Sequence, residues 1–164
     1  MKERIPYDDA VDLLDADHRA VKKMFIDYAA LSLEGGLADE KRQLAQRICQ
    51  VLTVHAQIEE EIFYPRVAQA LGDEDLVGAA LADHKLAKAA IAKIEAMKAN
   101  DPGQDAAMSE LGILVDQHVL EEREQLFLKA RRSTLDLRGM TPELIQRQKQ
   151  LKRKPRAAMV KETA

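Results

Sequence analysis

Tryptophan is absent from this chain of 164 residues, and tyrosine and phenylalanine number three each. Cysteine occurs once, at Cys49. A lone cysteine excludes an internal disulfide and a thiolate-rich zinc or iron–sulfur site. No apolar run approaches the roughly 18 residues that a membrane span requires. The opening Met-Lys-Glu-Arg-Ile-Pro has no apolar stretch after its charges, so it does not read as a signal peptide. A soluble, cytoplasmic protein without a membrane partner is the expectation.

What the chain has in quantity is helix formers: Ala, Leu, Glu, Lys and Gln dominate. Its length suits one domain with a sizeable core. The formal net charge of −3 is unevenly spread. From Thr141 onward seven Lys/Arg face two Asp/Glu, a balance of +5, which leaves −8 on the preceding 140 residues. A mildly acidic body is followed by a basic tail. The tail lacks interleaved aromatics and any recognition-helix pattern. It reads as a solvated extension open to a protein partner, and no nucleic-acid partner is expected.

Apolar residues recur at helical spacing in four segments, and no strand-like alternation or sequence repeat is evident. The first helix is expected from about Asp9 to Leu31, with Val11, Leu14, His18, Val21 and Phe25 inside. The second runs from about Asp39 to Tyr64, with Leu44, Ile48, Val51, Leu52, His55, Glu59 and Ile62 inside. Pro65 should kink or stop it, with a further turn to Leu71. The third runs from about Asp73 to Ala99, with Val77, Leu81, His84, Ala87 and Ile91 inside. The fourth runs from about Asp105 to Arg131, with Leu111, Leu114, His118, Glu122 and Leu126 inside. Thr141-Pro142 reads as an N-cap with proline in the first position, opening a short fifth helix. Short connections imply an all-α, antiparallel up-down-up-down four-helix bundle over 1–140, with a short C-terminal helix and tail over 141–164. The added helix should dock weakly, and the residues from Lys152 on should be mobile.

The four histidines of the chain fall one on each stripe. His55-Ala-Gln-Ile-Glu59 and His118-Val-Leu-Glu-Glu122 each set an imidazole and a carboxylate one helical turn apart on a single face. A lone inner histidine is more often a packed residue than a ligand. Two inner glutamates, each following an inner histidine, are harder to explain by packing, because an unpaired buried carboxylate costs several kcal/mol. Four imidazoles and two shared carboxylates suit a pair of transition-metal ions, and iron accepts this mixed nitrogen and oxygen set. Such ions retain places for water, an oxo or hydroxo bridge, or a small gas molecule. In the metal-free protein this cluster should be weakest in acid, where histidine protonation would gather like charges.

Other polar residues take blander readings. Glu60, Glu61, Glu121 and Glu124 should be solvated. Gln125 either hydrogen-bonds near the site or sits on its rim. Tyr28 and Tyr64 either line the pocket or, as is commoner, pack, and Cys49, Met24, Met97 and Met108 should pack.

Leu-Leu-Asp-Ala-Asp-His18, His55-Ala-Gln-Ile-Glu59 followed by Glu-Glu-Ile-Phe-Tyr-Pro, Asp-His84, and His118-Val-Leu-Glu-Glu122 together resemble the hemerythrin-like, HHE cation-binding family over residues 8–131. The resemblance implies a non-haem di-iron centre with His18, His55, His84 and His118 as terminal ligands and Glu59 and Glu122 as bridges. Oxygen-carrying hemerythrins place a second histidine one turn from the third-helix histidine, where this chain has Ala80 and Lys88. They also use Asp where this chain has Glu122. The pattern is similar to the bacterial branch with four His and two Glu. It implies binding or sensing of O2 or NO, or a response to iron or oxidative stress. The alternatives are a redox enzyme (a peroxidase, an NO reductase or an iron donor for repair) and a metal-free interaction protein. Repair relatives carry an N-terminal cysteine segment that this sequence lacks.

Overall fold

The computed structural model describes residues 8–35 and 38–153. In chain order it contains α1 (Ala10–Leu33), α2 (Ala38–Ile58), a π-helical turn (Glu59–Phe63), α3 (Tyr64–Leu71), α4 (Glu74–Ala96), α5 (Gln104–Glu121), a second π-helical turn (Glu122–Phe127), α6 (Leu128–Arg132) and α7 (Leu137–Lys152). Among the described residues there is no strand. None of their helices is long and apolar enough to cross a membrane.

Local chemistry sets the helix ends. Asp9 accepts the Asp12 amide at 2.9 Å and Asp73 accepts that of Leu76 at 3.0 Å, so each satisfies an orphan donor of a first turn. Gly72 closes α3 at φ 64°, a left-handed conformation that costs glycine little.

The sequence placed a kink or stop at Pro65, but the chain runs on. The hydrogen-bond ladder slips one residue in the π-turn, where the Tyr64 amide bonds the Glu59 carbonyl. Pro65 then lies in the first turn of α3, where a missing amide proton is tolerated.

Two apolar clusters flank the histidines. One gathers Leu14, Val54, Ile58, Phe63, Val67, Leu126 and Phe127. The other gathers Tyr28, Ile48, Cys49, Ile91, Ile94, Met108 and Leu111. On α1, α2 and α4, and from α5 into the second π-turn, each histidine falls between members of the two clusters. Leu81 was expected inside but is exposed, because His84 and Val77 set the inward direction of α4.

The last helix departs most from expectation. α7 begins at Leu137 under the Asp136 cap, whose carboxylate accepts the Gly139 amide at 3.0 Å. Thr141 is therefore inside the helix, and its hydroxyl donates to the Leu137 carbonyl at 3.1 Å. Pro142 is also inside the helix and forfeits one backbone bond. Burial of Leu137, Met140, Leu144 and Leu151 against the first cluster offsets that loss. α7 thus docks firmly on α1 and α2, correcting the expected weak contact. The expected mobility of the tail from residue 154 onward lies outside the described residues.

Candidate metal centre

All six residues singled out by spacing meet in one buried layer. His18, His55, Glu59 and Glu122 form one group of donor atoms within 4.8 Å of one another; Glu59, His84, His118 and Glu122 form a second. Both glutamates belong to both groups. The Nε2 atoms of His18 and His55 stand 3.1 Å apart, and those of His84 and His118 stand 3.2 Å apart. Glu59 Oε1 lies 3.1 Å from His55 Nε2 and 3.2 Å from His84 Nε2. Glu122 divides its oxygens: Oε1 is 3.1 Å from His18 and Oε2 is 3.4 Å from His118.

Each imidazole is oriented from behind by a carboxylate on Nδ1. His18 meets Asp15 at 3.3 Å, His55 meets Asp17 at 2.9 Å, His84 meets Glu60 at 2.9 Å and His118 meets Asp83 at 3.1 Å. A carboxylate there holds the proton on Nδ1 and turns the Nε2 lone pair inward, as metal-binding histidines require. Asp17 and Asp83 each directly precede the histidine of their own helix and serve the histidine of the next one. Arg123 pairs with Asp15 at 2.5 Å, and Lys88 with Glu60 at 2.7 Å. Gln148 of α7 donates to Asp17 at 3.3 Å, tying the added helix to the His55 orientation.

These partners were absent from the sequence reading. Glu60 is half-buried and engaged rather than solvated, a correction. The signal was present in the Asp-x-Asp-His18 and Asp-His84 phrases, where an acidic residue precedes each histidine. Gln125 is exposed beyond the site.

Of the two readings for Tyr64, the structure takes the one that lines the site. It is almost fully buried, and its hydroxyl donates to Glu122 Oε2. The same oxygen lies 3.3 Å from Glu59 Oε1, 3.1 Å from His84 Nε2 and 3.3 Å from His118 Nε2. An α-helix would set residues five apart about 140° from one another. The π-turn closes i to i+5, so Glu59 and Tyr64 share a face.

Electrostatics show what a metal-free cluster must do. Burial pushes the His84 imidazole down, but Glu59 and Glu60 outweigh it and hold the group at about 9. His55 is opposed by burial yet held well above its ordinary range by Glu59 and Asp17. His18 and His118 are raised against the same penalty by their carboxylates. Burial alone would raise Glu122, but His118 and His18 draw it well down. Tyr64 is pushed well up by burial and by the Glu59 and Glu122 charges.

The donor set fits metal cations. Facing Nε2 lone pairs at 3.1 and 3.2 Å repel unless a proton or a metal lies between them. Among the described residues, buried Glu59 Oε2 and Glu122 Oε1 have no hydrogen-bond donor. An orphaned buried carboxylate oxygen is costly unless a cation takes it.

A cavity of about 40 Å³ abuts the four histidines on the side away from Tyr64. Leu52, Ala87, Ile91, Leu114, Val115 and Val119 give it an apolar wall.

Residues 9–130 match the hemerythrin HHE cation-binding domain model, and the chain belongs to that family. It is similar in fold to the crystal structure of a hemerythrin HHE cation-binding domain-containing protein, the Rv2633c homolog from Mycobacterium kansasii. That alignment has a TM-score of 0.75 at 18% identity and covers 93% of this chain and 98% of the other. None of the curated proteins matches this chain.

Proposed function

We propose that the chain is a non-haem di-iron protein that binds or senses a small diatomic molecule, O2 or NO. His18 and His55 hold one ion, His84 and His118 hold the other, and Glu59 and Glu122 bridge them. Iron supplies a reversible redox centre with affinity for such gases. Charge supports two ions. Six carboxylates (Asp15, Asp17, Glu59, Glu60, Asp83 and Glu122) surround four neutral imidazoles, and Arg123 and Lys88 offset two, which leaves four negative charges. Two divalent cations balance four.

The observation that carries the gas reading is the apolar cavity against the histidines, at about 40 Å³. A water needs about 10–15 Å³ of such space, so the cavity accommodates a molecule of a few atoms beside the histidines.

Anaerobic loading with ferrous iron should give about two irons per chain, and added NO or O2 should change the spectrum. Val115→Phe, which fills the cavity, should keep the iron and impair gas binding. Stoichiometric zinc without iron uptake would defeat the di-iron reading. Unimpaired gas binding in Val115→Phe would defeat the cavity reading.

Asp83 and Lys88 also line the cavity, a polar contribution that suits hydrogen peroxide. That supports a second reading, a redox enzyme acting as peroxidase, NO reductase or iron donor. Sustained turnover with a reductant separates it from a binding or sensing role.

A further inference from the structure

The seam between α1 and α5 stays open beside the metal centre, and two ion pairs cross it. Arg123, just beyond α5, meets Asp15 at 2.5 Å, and Lys22 meets Asp116 at 2.9 Å. Asp15 and Lys22 are seven residues apart on α1, and Asp116 and Arg123 are seven apart on the facing rod. Seven residues span about 10 Å of helix, so the pairs form two rungs about that far apart. Between them lies a groove of about 420 Å³. Its lining includes His18, Val115 and Val119, which also line the inner cavity. Phe25, Val115 and Val119 are only half-buried there, and Leu120 is 57% exposed.

Charge sets the groove apart from the rest of the body. Arg19, Lys22 and Arg123 line it. Asp116 and Asp15 answer Lys22 and Arg123, while Arg19 makes no ion pair among the described residues. Three cations against two carboxylates leave one positive charge, in a body whose first 140 residues carry −8. An unanswered guanidinium beside an apolar floor is complementary to a ligand that is acidic at one end and apolar at the other. The volume falls in the range of about 300–1,000 Å³ common for small-molecule sites. The rungs limit what enters. A partner helix, about 10–12 Å across with its side chains, does not settle between them, whereas a flat ring system does.

We propose that this groove is a binding site for a small organic anion, a carboxylate on an apolar body one or two rings in size. Arg19 takes the carboxylate, and Lys22 and Arg123 add their fields. The rings lie on Val119 and Leu120 against Phe25. Such an occupant sits one layer of side chains from the inner cavity, across His18, Val115 and Val119. The site does not depend on the di-iron reading, because Arg19, Phe25, Val119 and Leu120 are not among the six proposed ligands.

The test is calorimetric titration of the full chain, as purified, with naphthoate. Wild type should show one saturable site per chain. Naphthalenemethanol, with the same rings and no charge, should bind about tenfold more weakly or worse. Arg19→Glu and Leu120→Glu should each weaken naphthoate by about tenfold or more, and both replace exposed residues, so the fold is kept. Leu86→Glu, at an exposed leucine outside the groove, should leave binding unchanged. Equal affinity for the acid and the alcohol would overturn the proposal. So would unchanged binding in Arg19→Glu, or no saturable binding by wild type. A self-associating wild type that Leu120→Glu turns into monomers, and that naphthoate does not dissociate, would assign the groove to a second copy of the chain and overturn it as well.

Discussion

Replacing Leu144 by alanine tests whether α7 belongs to the structural unit of the bundle. The side chain is fully buried and lies in the cluster with Phe63, Val67 and Phe127. The substitution removes three carbons, worth about 2.4 kcal/mol at about 0.8 kcal/mol per buried methylene. A residual cavity adds to that, and measured buried Leu→Ala losses span about 2–5 kcal/mol. The expected loss is therefore about 3–4 kcal/mol. For a chain of this length each kcal/mol lowers Tm by about 2–4 °C, so Tm should fall by roughly 6–16 °C. Chelator-treated protein is the right sample, since bound metal would add stability by linkage. Urea unfolding should show a lower midpoint at unchanged slope. Leu120→Ala, at a residue 57% exposed, serves as the control and should shift stability by about 0.5 kcal/mol or less. A Leu144→Ala loss below about 1 kcal/mol would refute the docking of α7. Under the weak docking expected from the sequence, removal of everything after Met140 would be harmless to the centre. That deletion takes away both Leu144 and Leu151, each fully buried, so it should unfold the metal-free protein.

Glu122→Ala should reduce bound iron far more than Glu121→Ala, because Glu122 is buried between both histidine pairs while Glu121 is exposed; equal iron content by metal analysis would remove Glu122 from the ligand set. The His84 value of about 9 in the metal-free fold, above its usual 6.5, sets a pH window. A raised imidazole stabilises the fold fully below about 6.5, and that contribution is lost as pH rises through about 9. Chelated protein should therefore lose Tm from pH 6.5 to 9.5, metal affinity should rise over the same range, and loading at pH 7 should release protons into weak buffer. A chelated protein whose Tm rises through this window would contradict the assignment.

The histidine repulsion expected in the metal-free core is opposed by carboxylates on every imidazole, while the depressed Asp15, Glu60 and Glu122 still lose their contribution as pH falls into acid. Asp15, Asp17, Glu60 and Asp83 give every imidazole an anionic partner. Periodicity located His18, His55, His84 and His118 on inner faces because three of them lie between apolar residues of one α-helix, and His118 lies just before the break. Spacing of four found Glu59 and Glu122 because His55 and His118 precede the ladder slip. It could not find Asp17 on His55 or Asp83 on His118, since those contacts cross between helices and depend on their relative rotation. Thr141-Pro142 resembled a cap, yet Asp136 supplied one earlier, and the buried Leu137 and Met140 drew the helix start toward it.

Tyr64 was legible as a pocket residue only as the lesser of two readings, for a different reason. The rule that residues three and four apart share a face assumes an unbroken α ladder. Under that rule Tyr64 belongs on the far side from Glu59, and packing is the natural reading. The slip at Glu59–Phe63 moves everything after it by one position, so a five-residue step becomes a same-face step. The second slip, at Glu122–Phe127, does the same and lays Phe127 on His18. Both slips begin at the shared carboxylates, which argues that they serve the centre rather than the helices. A continuous α-helix would turn the phenol out of the cluster and leave Glu122 Oε2 without the donor it has in the metal-free fold. A residue inserted between Glu59 and Tyr64 should therefore remove the phenol from the centre while leaving the His55–Glu59 spacing intact, whereas deleting one should close the π-turn into an α-helix and keep the phenol on the Glu59 face.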